Sequence, residues 1–205
     1  MKKFIFAVTA LFVLSIGAFA QDKNVKAYFN FGNEFDTPGR GKVFGGGVGA
    51  DYTLLHNESG TAKLLVKGDV VLNREPDNRD YGLSANARLR AYPCEFFFVQ
   101  GGVNKARSRG LDFDSTSWAV GGGVNVKNRL LVGYDRNFKD NIRNNSGLVG
   151  VTGNRVFTEA YLPLSEKFRW YIGTEYSYSV FNRPLVNDRA RGFSVNLGLA
   201  RVFHK

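Results

Sequence analysis

The chain has 205 residues, one cysteine and a net charge of +10. Cys94 alone cannot form an intramolecular disulfide, and one cysteine with two histidines supplies no common zinc site, so we expect neither a metal nor another cofactor. Beyond residue 20, no segment approaches the roughly 18 apolar residues that a transmembrane helix needs.

Residues 1–20 have the three parts of a secretory signal peptide. Two lysines give a basic start, residues 4–16 are almost entirely apolar, and Ala18-Phe19-Ala20 forms a small-x-small cleavage site. An uncleaved membrane helix is the alternative, which the short apolar run disfavours. The mature chain is then one domain, residues 21–205, and loss of the two lysines lowers the net charge from +10 to +8.

Ten segments of the mature chain alternate apolar and polar residues, the pattern of β-strands with two unlike faces. In the clearest of them, Tyr81–Tyr92, an apolar face of tyrosine, leucine and alanine alternates with a polar face that carries Arg88 and Arg90. The eighth segment is the weakest, and Phe96 and Phe98 leave the faces of the fifth ambiguous. In chain order the segments are residues 24–31, 42–54, 61–72, 81–92, 95–105, 116–127, 129–138, 155–162, 168–180 and 192–203.

The connections between these segments alternate in length. Short turns are expected at residues 56–60, 93–94, 127–128 and 163–167, and longer polar loops at 33–41, 73–80, 107–115, 139–146 and 181–191. An even number of antiparallel strands with short turns at one end and long loops at the other is typical of outer-membrane barrels, whose strands need about 9–11 residues to cross the bilayer. We therefore predict an all-β fold, a closed antiparallel up-and-down transmembrane β-barrel of about ten strands.

The strands must close into a barrel because lipid offers the backbone no hydrogen-bond partners. In such a barrel the apolar faces meet lipid and the polar faces point inward. Aromatic residues on the apolar faces cluster near both strand ends, as in interfacial girdles, whereas a mere preference for strands would scatter them. The girdle toward the long loops consists of Phe44, Tyr81, Trp118, Tyr176, Tyr178 and Phe193. The girdle toward the short turns consists of Tyr52, Phe97, Phe168, Trp170 and Phe203.

Charges of both signs fall on the predicted inward faces. A wide pore would instead be lined by charges of one sign. We therefore predict ion-pair networks that plug or narrow the lumen, with at most a small, slightly anion-selective conductance. Arg88 and Arg90 are expected to pair with Asp69 or another inward acid. The predicted lumen residues are Lys26, Lys63, Lys67, Arg88, Arg90 and Arg169 with Asp51, Asp69, Asp135, Glu159 and Glu175.

The run from Gly45 to Ala50 fits G-x-G-x-x-A, a fingerprint of dinucleotide binding. That fingerprint must open a helix, whereas residues 51–55 continue a strand. We interpret the glycines as residues at crowded inward positions, and Gly121-Gly122-Gly123 repeats the pattern.

The signal peptide, the alternating strands and the closing segment Phe193–Phe203 resemble those of small outer-membrane barrels of the OmpA-like superfamily. This resemblance implies an outer-membrane location with both termini in the periplasm, and insertion by the barrel-assembly machinery, which would read Leu199 and Phe203. Arg201 and the trailing His204-Lys205 depart from that assembly signal. The resemblance covers the barrel domain alone, and eight strands, common in the superfamily, are the alternative to ten.

The predicted function is non-enzymatic: a monomeric barrel in outer-membrane lipid with an envelope-structural role or a surface-contact role. Basic extracellular loops would contact anionic surface lipid or another polyanion, although ordinary solvated loop charge explains them equally well. Nucleic acid is disfavoured by the export signal. The loop arginines are Arg40, Arg74, Arg79, Arg107, Arg109, Arg143, Arg183, Arg189 and Arg191.

Three other functions stay open: a small-solute porin, a lipid A-modifying enzyme or protease of the outer membrane, and a soluble exported ligand-binding barrel. An enzyme would need a general base near the outer rim. The topology places His56 and His204 at the opposite, short-turn end. His56-Asn57-Glu58-Ser59 offers a base, an acid and a nucleophile, but we interpret these residues as a turn. A soluble barrel would reverse the faces and turn the tryptophans and leucines inward.

Overall fold

The computed structural model describes seven stretches of the chain: residues 23–35, 41–75, 80–108, 113–127, 129–144, 147–182 and 187–203. The predicted signal peptide, residues 1–20, and His204 lie outside these stretches. Among the residues described, no helix is long and apolar enough to cross a membrane.

Alternating apolar and polar residues form ten strands, because that period sends successive side chains to opposite faces of a sheet. The strands are β1 (Lys23–Phe35), β2 (Lys42–His56), β3 (Lys63–Glu75), β4 (Asp80–Tyr92), β5 (Phe97–Ser108), β6 (Phe113–Val126), β7 (Leu130–Asn144), β8 (Gly147–Pro163), β9 (Phe168–Asn182) and β10 (Asn187–Phe203). Each strand pairs antiparallel with its chain neighbours, and β1 pairs with β10. The fold is therefore a closed up-and-down barrel of ten strands, and the alternative of eight is wrong.

The strands extend further toward the predicted loops than the sequence pattern indicated. Arg143 of β7 faces Leu148 of β8, so most of the predicted loop 139–146 is strand, and β10 begins at Asn187 within the predicted loop 181–191. Backbone ladders need no apolar alternation, and the pattern marks only the part of each strand that is apolar on one face. The predicted contrast between long loops and short turns is therefore weak. We call the two ends the loop end and the turn end, the latter with the connections at 57–62, 93–96, 127–129 and 164–167.

The outer surface of the barrel is apolar. Trp118 and Val120 of β6 are 60% and 59% exposed, whereas Phe98, which points into the barrel from the neighbouring strand β5, is 2% exposed. This arrangement, apolar outside and charged inside, is the reverse of a soluble ligand-binding barrel, so that alternative is wrong. It also resolves the fifth segment, in which Phe97 points outward and Phe98 inward.

All eleven predicted girdle residues lie on the outward face. Nine of them are exposed: Phe44, Tyr81, Phe97, Trp118, Phe168, Trp170, Tyr176, Phe193 and Phe203. Tyr52 and Tyr178 are half-buried. Leu199 and Phe203 of β10 are also outward. Their contact with membrane interfaces and with the assembly machinery stays a prediction.

Inward glycines make room for large inward side chains of the neighbouring strands. A Cβ on Gly47 would collide with the Tyr28 ring, and one on Gly49 would lie 2.8 Å from the Lys26 side chain. A Cβ on Gly121 would collide with Asp135, and one on Gly123 with the β7 backbone. The interpretation of these glycines as crowded inward positions is confirmed for the alternate members of both runs.

Candidate functional site: the charged lumen and its two cavities

A carboxylate bridges the lumen near its middle. Glu159 of β8 lies 2.6 Å from the Lys67 ammonium of β3 and 3.4 Å from the Arg90 guanidinium of β4. Lys67 also lies 3.8 Å from Asp51 of β2. Since none of the other three strands neighbours β8, these contacts run across the interior rather than along the wall.

A second cluster surrounds Asp135 of β7, which is fully buried. Its carboxylate accepts a hydrogen bond from Arg155 at 2.5 Å and one from the Gln100 amide at 2.7 Å, and it lies 3.9 Å from Arg88. Gln100 in turn accepts a hydrogen bond from Arg90 at 2.7 Å. Gln100 thereby joins the two clusters into one network, which we call the lumen plug.

The remaining predicted lumen charges surround this plug. The Lys26 ammonium donates to the Tyr171 hydroxyl at 3.4 Å, and Asp69 accepts a hydrogen bond from Asn86. Lys63 lies 4.9 Å from the centre of the Tyr92 ring. Glu175 contacts Arg155 at 3.2 Å.

Arg169 lines a cavity at the turn end and forms no ion pair with another described residue. Arg169 therefore lies outside the lumen plug.

Of the two expected kinds of partner for Arg88 and Arg90, Asp69 or another inward acid, the structure shows the second. In the register of β3 and β4, Asp69 faces Asn86, while Arg88 faces Lys67. The two arginines therefore reach across the lumen, Arg90 to Glu159 and Arg88 toward Asp135.

Sequence reasoning missed two plug members, Arg155 and Gln100. Arg155 stood at the edge of the weakest predicted segment, yet it shares the inward face of β8 with Phe157 and Glu159. The spacing of residues 155, 157, 159 and 161 carries that signal. Gln100 is uncharged, so a search for inward charges does not find it.

Inward aromatic rings support the cations of the plug. The Arg90 guanidinium lies 4.4 Å from the centre of the Phe98 ring, and that of Arg155 lies 4.8 Å from the Phe157 ring. A cation over a desolvated ring gains about 2 kcal/mol. The buried cluster around these rings consists of Tyr28, Val71, Tyr92, Phe98, Leu131, Phe157, Tyr161, Tyr171 and Ala200.

The plug separates two cavities. The outer cavity, toward the loop end, has a volume of about 340 Å³, and the inner cavity, toward the turn end, about 450 Å³. Lys67 and Arg90 line both cavities, so these two side chains lie at the partition.

The four-residue run at His56 forms a turn rather than a triad. The His56 ring nitrogen Nδ1 lies 2.9 Å from the Asn57 carbonyl oxygen, while the Ser59 hydroxyl pairs with Thr61 at 2.8 Å. Nothing in these contacts joins a base to a nucleophile. In the described part of the chain, no group of His, Cys, Asp or Glu is arranged to hold a metal ion.

Closure, the apolar outer surface and the charged interior together define an outer-membrane β-barrel. The protein is thus located in the outer membrane, and its likeness to small barrels of that membrane is confirmed in architecture. No family model and no curated protein matches the chain.

Several solved structures are similar to this chain. Neisserial surface protein A shares 12% identity over 90% of this chain and 100% of its own, with a TM-score of 0.44. The outer membrane protease OmpT from Escherichia coli shares 8% identity over 89% and 97%, with a TM-score of 0.49. The translocator domain of the autotransporter NalP from Neisseria meningitidis shares 14% identity over 98% and 96%, with a TM-score of 0.45. These values carry no information about activity, and the class assignment rests on the barrel itself.

Proposed function

We propose that the protein is a non-enzymatic, non-conducting barrel that contributes to envelope structure and contacts anionic surface lipid at its loop end, which faces outward. The observation that carries the first part is the bridge of Glu159 to Lys67 and Arg90 across the lumen. A charged network of this kind excludes the continuous water path that a porin needs.

Arginines on the lipid-facing surface support the second part. Arg74 lies 5.7 Å from the centre of the Tyr81 ring, and Arg136 lies 5.4 Å from that of Phe138. Arginine on the lipid face of a barrel is unfavourable by about 2–4 kcal/mol at the midplane but by only about 0–1 kcal/mol near the interfaces. Arg74 pairs with the girdle residues Phe44 and Tyr81, and Arg136 lies two residues from Phe138, which pairs with the girdle residue Trp118. This proximity to the loop-end girdle suits contact with headgroup phosphate, which accepts hydrogen bonds from arginine.

Single-channel recording on the purified barrel tests the non-conducting state. We expect no conductance steps above the bilayer baseline, or steps far below those of a porin. A large, weakly selective conductance would overturn the proposal and make the protein a channel.

Native mass spectrometry of the barrel with lipid A tests the lipid contact. We expect Arg74→Ala with Arg136→Ala to lower the bound fraction of diphosphorylated lipid A, and to leave that of a dephosphorylated form unchanged. Arg201→Ala is the matched control, because Arg201 also faces outward and lies 4.6 Å from the Phe203 ring, but at the turn end. Equal losses in both variants would contradict a contact specific to the loop end.

A further inference from the structure

The outer cavity has a floor and a wall of different chemistry. Its floor is the lumen plug together with Phe157 and Tyr171, and its wall rises to the level of Asn33 and Ser84. With a volume of about 340 Å³, it lies at the small end of the roughly 300–1,000 Å³ range of ligand pockets. Most such pockets are lined by apolar groups, whereas amides and hydroxyls dominate this wall.

The wall amides and hydroxyls differ from the polar groups of the floor in their hydrogen bonds. At the floor, Asn86 donates to Asp69, and Asn104 bonds Arg88 and Ser117. The wall side chains, in contrast, form no hydrogen bond with another described residue. They are Asn30, Asn73, Asn137 and Asn196 with Ser84, Ser177 and Ser194.

Three of these amides also leave a polar atom buried without a partner. The side-chain oxygens of Asn73, Asn137 and Asn196 are covered and accept no hydrogen bond. A buried acceptor without a donor destabilises a protein by about 1–3 kcal/mol. These side chains therefore have hydrogen-bonding capacity that the described residues do not use.

The charged side chains that line the cavity already have polar partners. Glu159 lies 2.6 Å from Lys67 and 3.4 Å from Arg90, and Glu175 lies 3.2 Å from Arg155. Asp69 accepts a hydrogen bond from Asn86, Lys26 donates one to the Tyr171 hydroxyl, and Arg88 donates one to Asn104. Lys105 lies 3.6 Å from Asp114. The groups without a described partner are therefore the neutral amides and hydroxyls of the wall, which favours an uncharged ligand.

We propose that the outer cavity is a binding site for an uncharged, hydroxyl-rich ligand, a small sugar or polyol. A hydroxyl both donates and accepts, so a single ligand of this class serves the amide oxygens, the amide NH₂ groups and the serines of the wall. The site lies on the loop side of the plug, so binding requires no passage through the barrel. The proposal is independent of the lipid contact and adds a ligand to a barrel that does not conduct.

Isothermal titration calorimetry on the detergent-solubilised barrel tests this site, with glucose, sucrose and mannitol as uncharged probes. Glucuronate and glucosamine serve as charged comparisons. We expect saturable binding of at least one uncharged probe, and weaker binding of its charged counterpart. Loss of one wall amide, in Asn137→Leu or Asn196→Leu, should weaken binding by about tenfold.

Asn24→Leu is the matched control, because Asn24 also points into the lumen but lines the inner cavity. It should bind the probe as the unaltered barrel does. A heat-dependent shift in gel mobility verifies that each variant is folded. If a leucine variant does not fold, Ser177→Leu replaces it, since this wall residue makes no hydrogen bond that the change would break.

Three outcomes would overturn the proposal. The first is the absence of saturable binding for every uncharged probe, which would leave the wall as merely hydrated. The second is binding that the Asn24 and Asn196 variants weaken equally. The third is binding of a charged probe alone, which would make the cavity an ion site.

Discussion

Glu159 of β8 accepts hydrogen bonds from Lys67 of β3 at 2.6 and 2.8 Å, although the two strands lie diametrically opposite each other in the barrel. Ninety-two residues separate them in the chain. The two side chains, extended toward each other, span the whole cross-section of the lumen. This one contact shows that side chains cross the lumen at this level and separate the outer cavity from the inner one.

Loss of the Glu159 charge should destabilise the barrel. Glu159→Gln leaves the buried Lys67 and Arg90 without their shared counter-ion, and removal of one partner from a buried ion pair is unfavourable by about 3–5 kcal/mol. Urea unfolding in lipid vesicles measures the loss. Glu166→Gln, on the exposed turn between β8 and β9, is the control and should change stability by less than about 0.5 kcal/mol. Equal stability of both variants would contradict the plug.

Truncation of the plug should open the lumen. In a variant that carries both Lys67→Ala and Arg90→Ala, the side chains that divide the outer from the inner cavity are shortened, so the two cavities join. We expect conductance steps in planar bilayers that the unaltered barrel lacks. Asn24→Ala, in the inner cavity but outside the plug, should conduct as the unaltered barrel does. A silent double variant would mean that a constriction elsewhere closes the path.

The glycine run of β2 should tolerate alanine on one face only. A Cβ at Gly47 would collide with the Tyr28 ring, and overpacking of this kind is unfavourable by about 1–3 kcal/mol. A Cβ at the outward Gly46 would meet only the Tyr28 carbonyl oxygen, at an ordinary 3.6 Å. Gly47→Ala should therefore lower the midpoint of unfolding and Gly46→Ala should not. The reverse order would show that the faces of β2 are misassigned.

Depth in the membrane should set the effect of a charge on the outer surface. Val48 of β2 lies midway between the girdle residues Phe44 and Tyr52, so Val48→Arg should be unfavourable by about 2–4 kcal/mol. Leu54→Arg, on the same strand beyond Tyr52, should be unfavourable by about 0–1 kcal/mol. Folding yield into lipid vesicles and urea unfolding measure both. Equal effects would remove Phe44 and Tyr52 as markers of the two interfaces.

Much of the fold follows from local pattern, and much of the plug does not. The alternation in Tyr81–Tyr92 predicted its faces correctly, because side-chain direction along a strand depends only on position parity. The ends of β7, β8 and β10 were not predicted, because ladder hydrogen bonds continue through polar segments such as residues 139–144. Arg155 was missed because it stands at the polar edge of the weakest segment, in which Glu159 alone was assigned to the charged lumen.

The sequence by itself determined which side chains point inward, including Arg88, Arg90 and Glu159, and it determined that the lumen would be charged with both signs. Tertiary structure alone decided the partners. Closure of β1 on β10 places β3 opposite β8, so Lys67 meets Glu159 from the far wall in addition to Asp51 of the neighbouring strand β2. The register of β3 and β4 decides the partners of the two arginines. It sets Asn86 rather than Arg88 against Asp69, so Arg88 and Arg90 reach across the lumen.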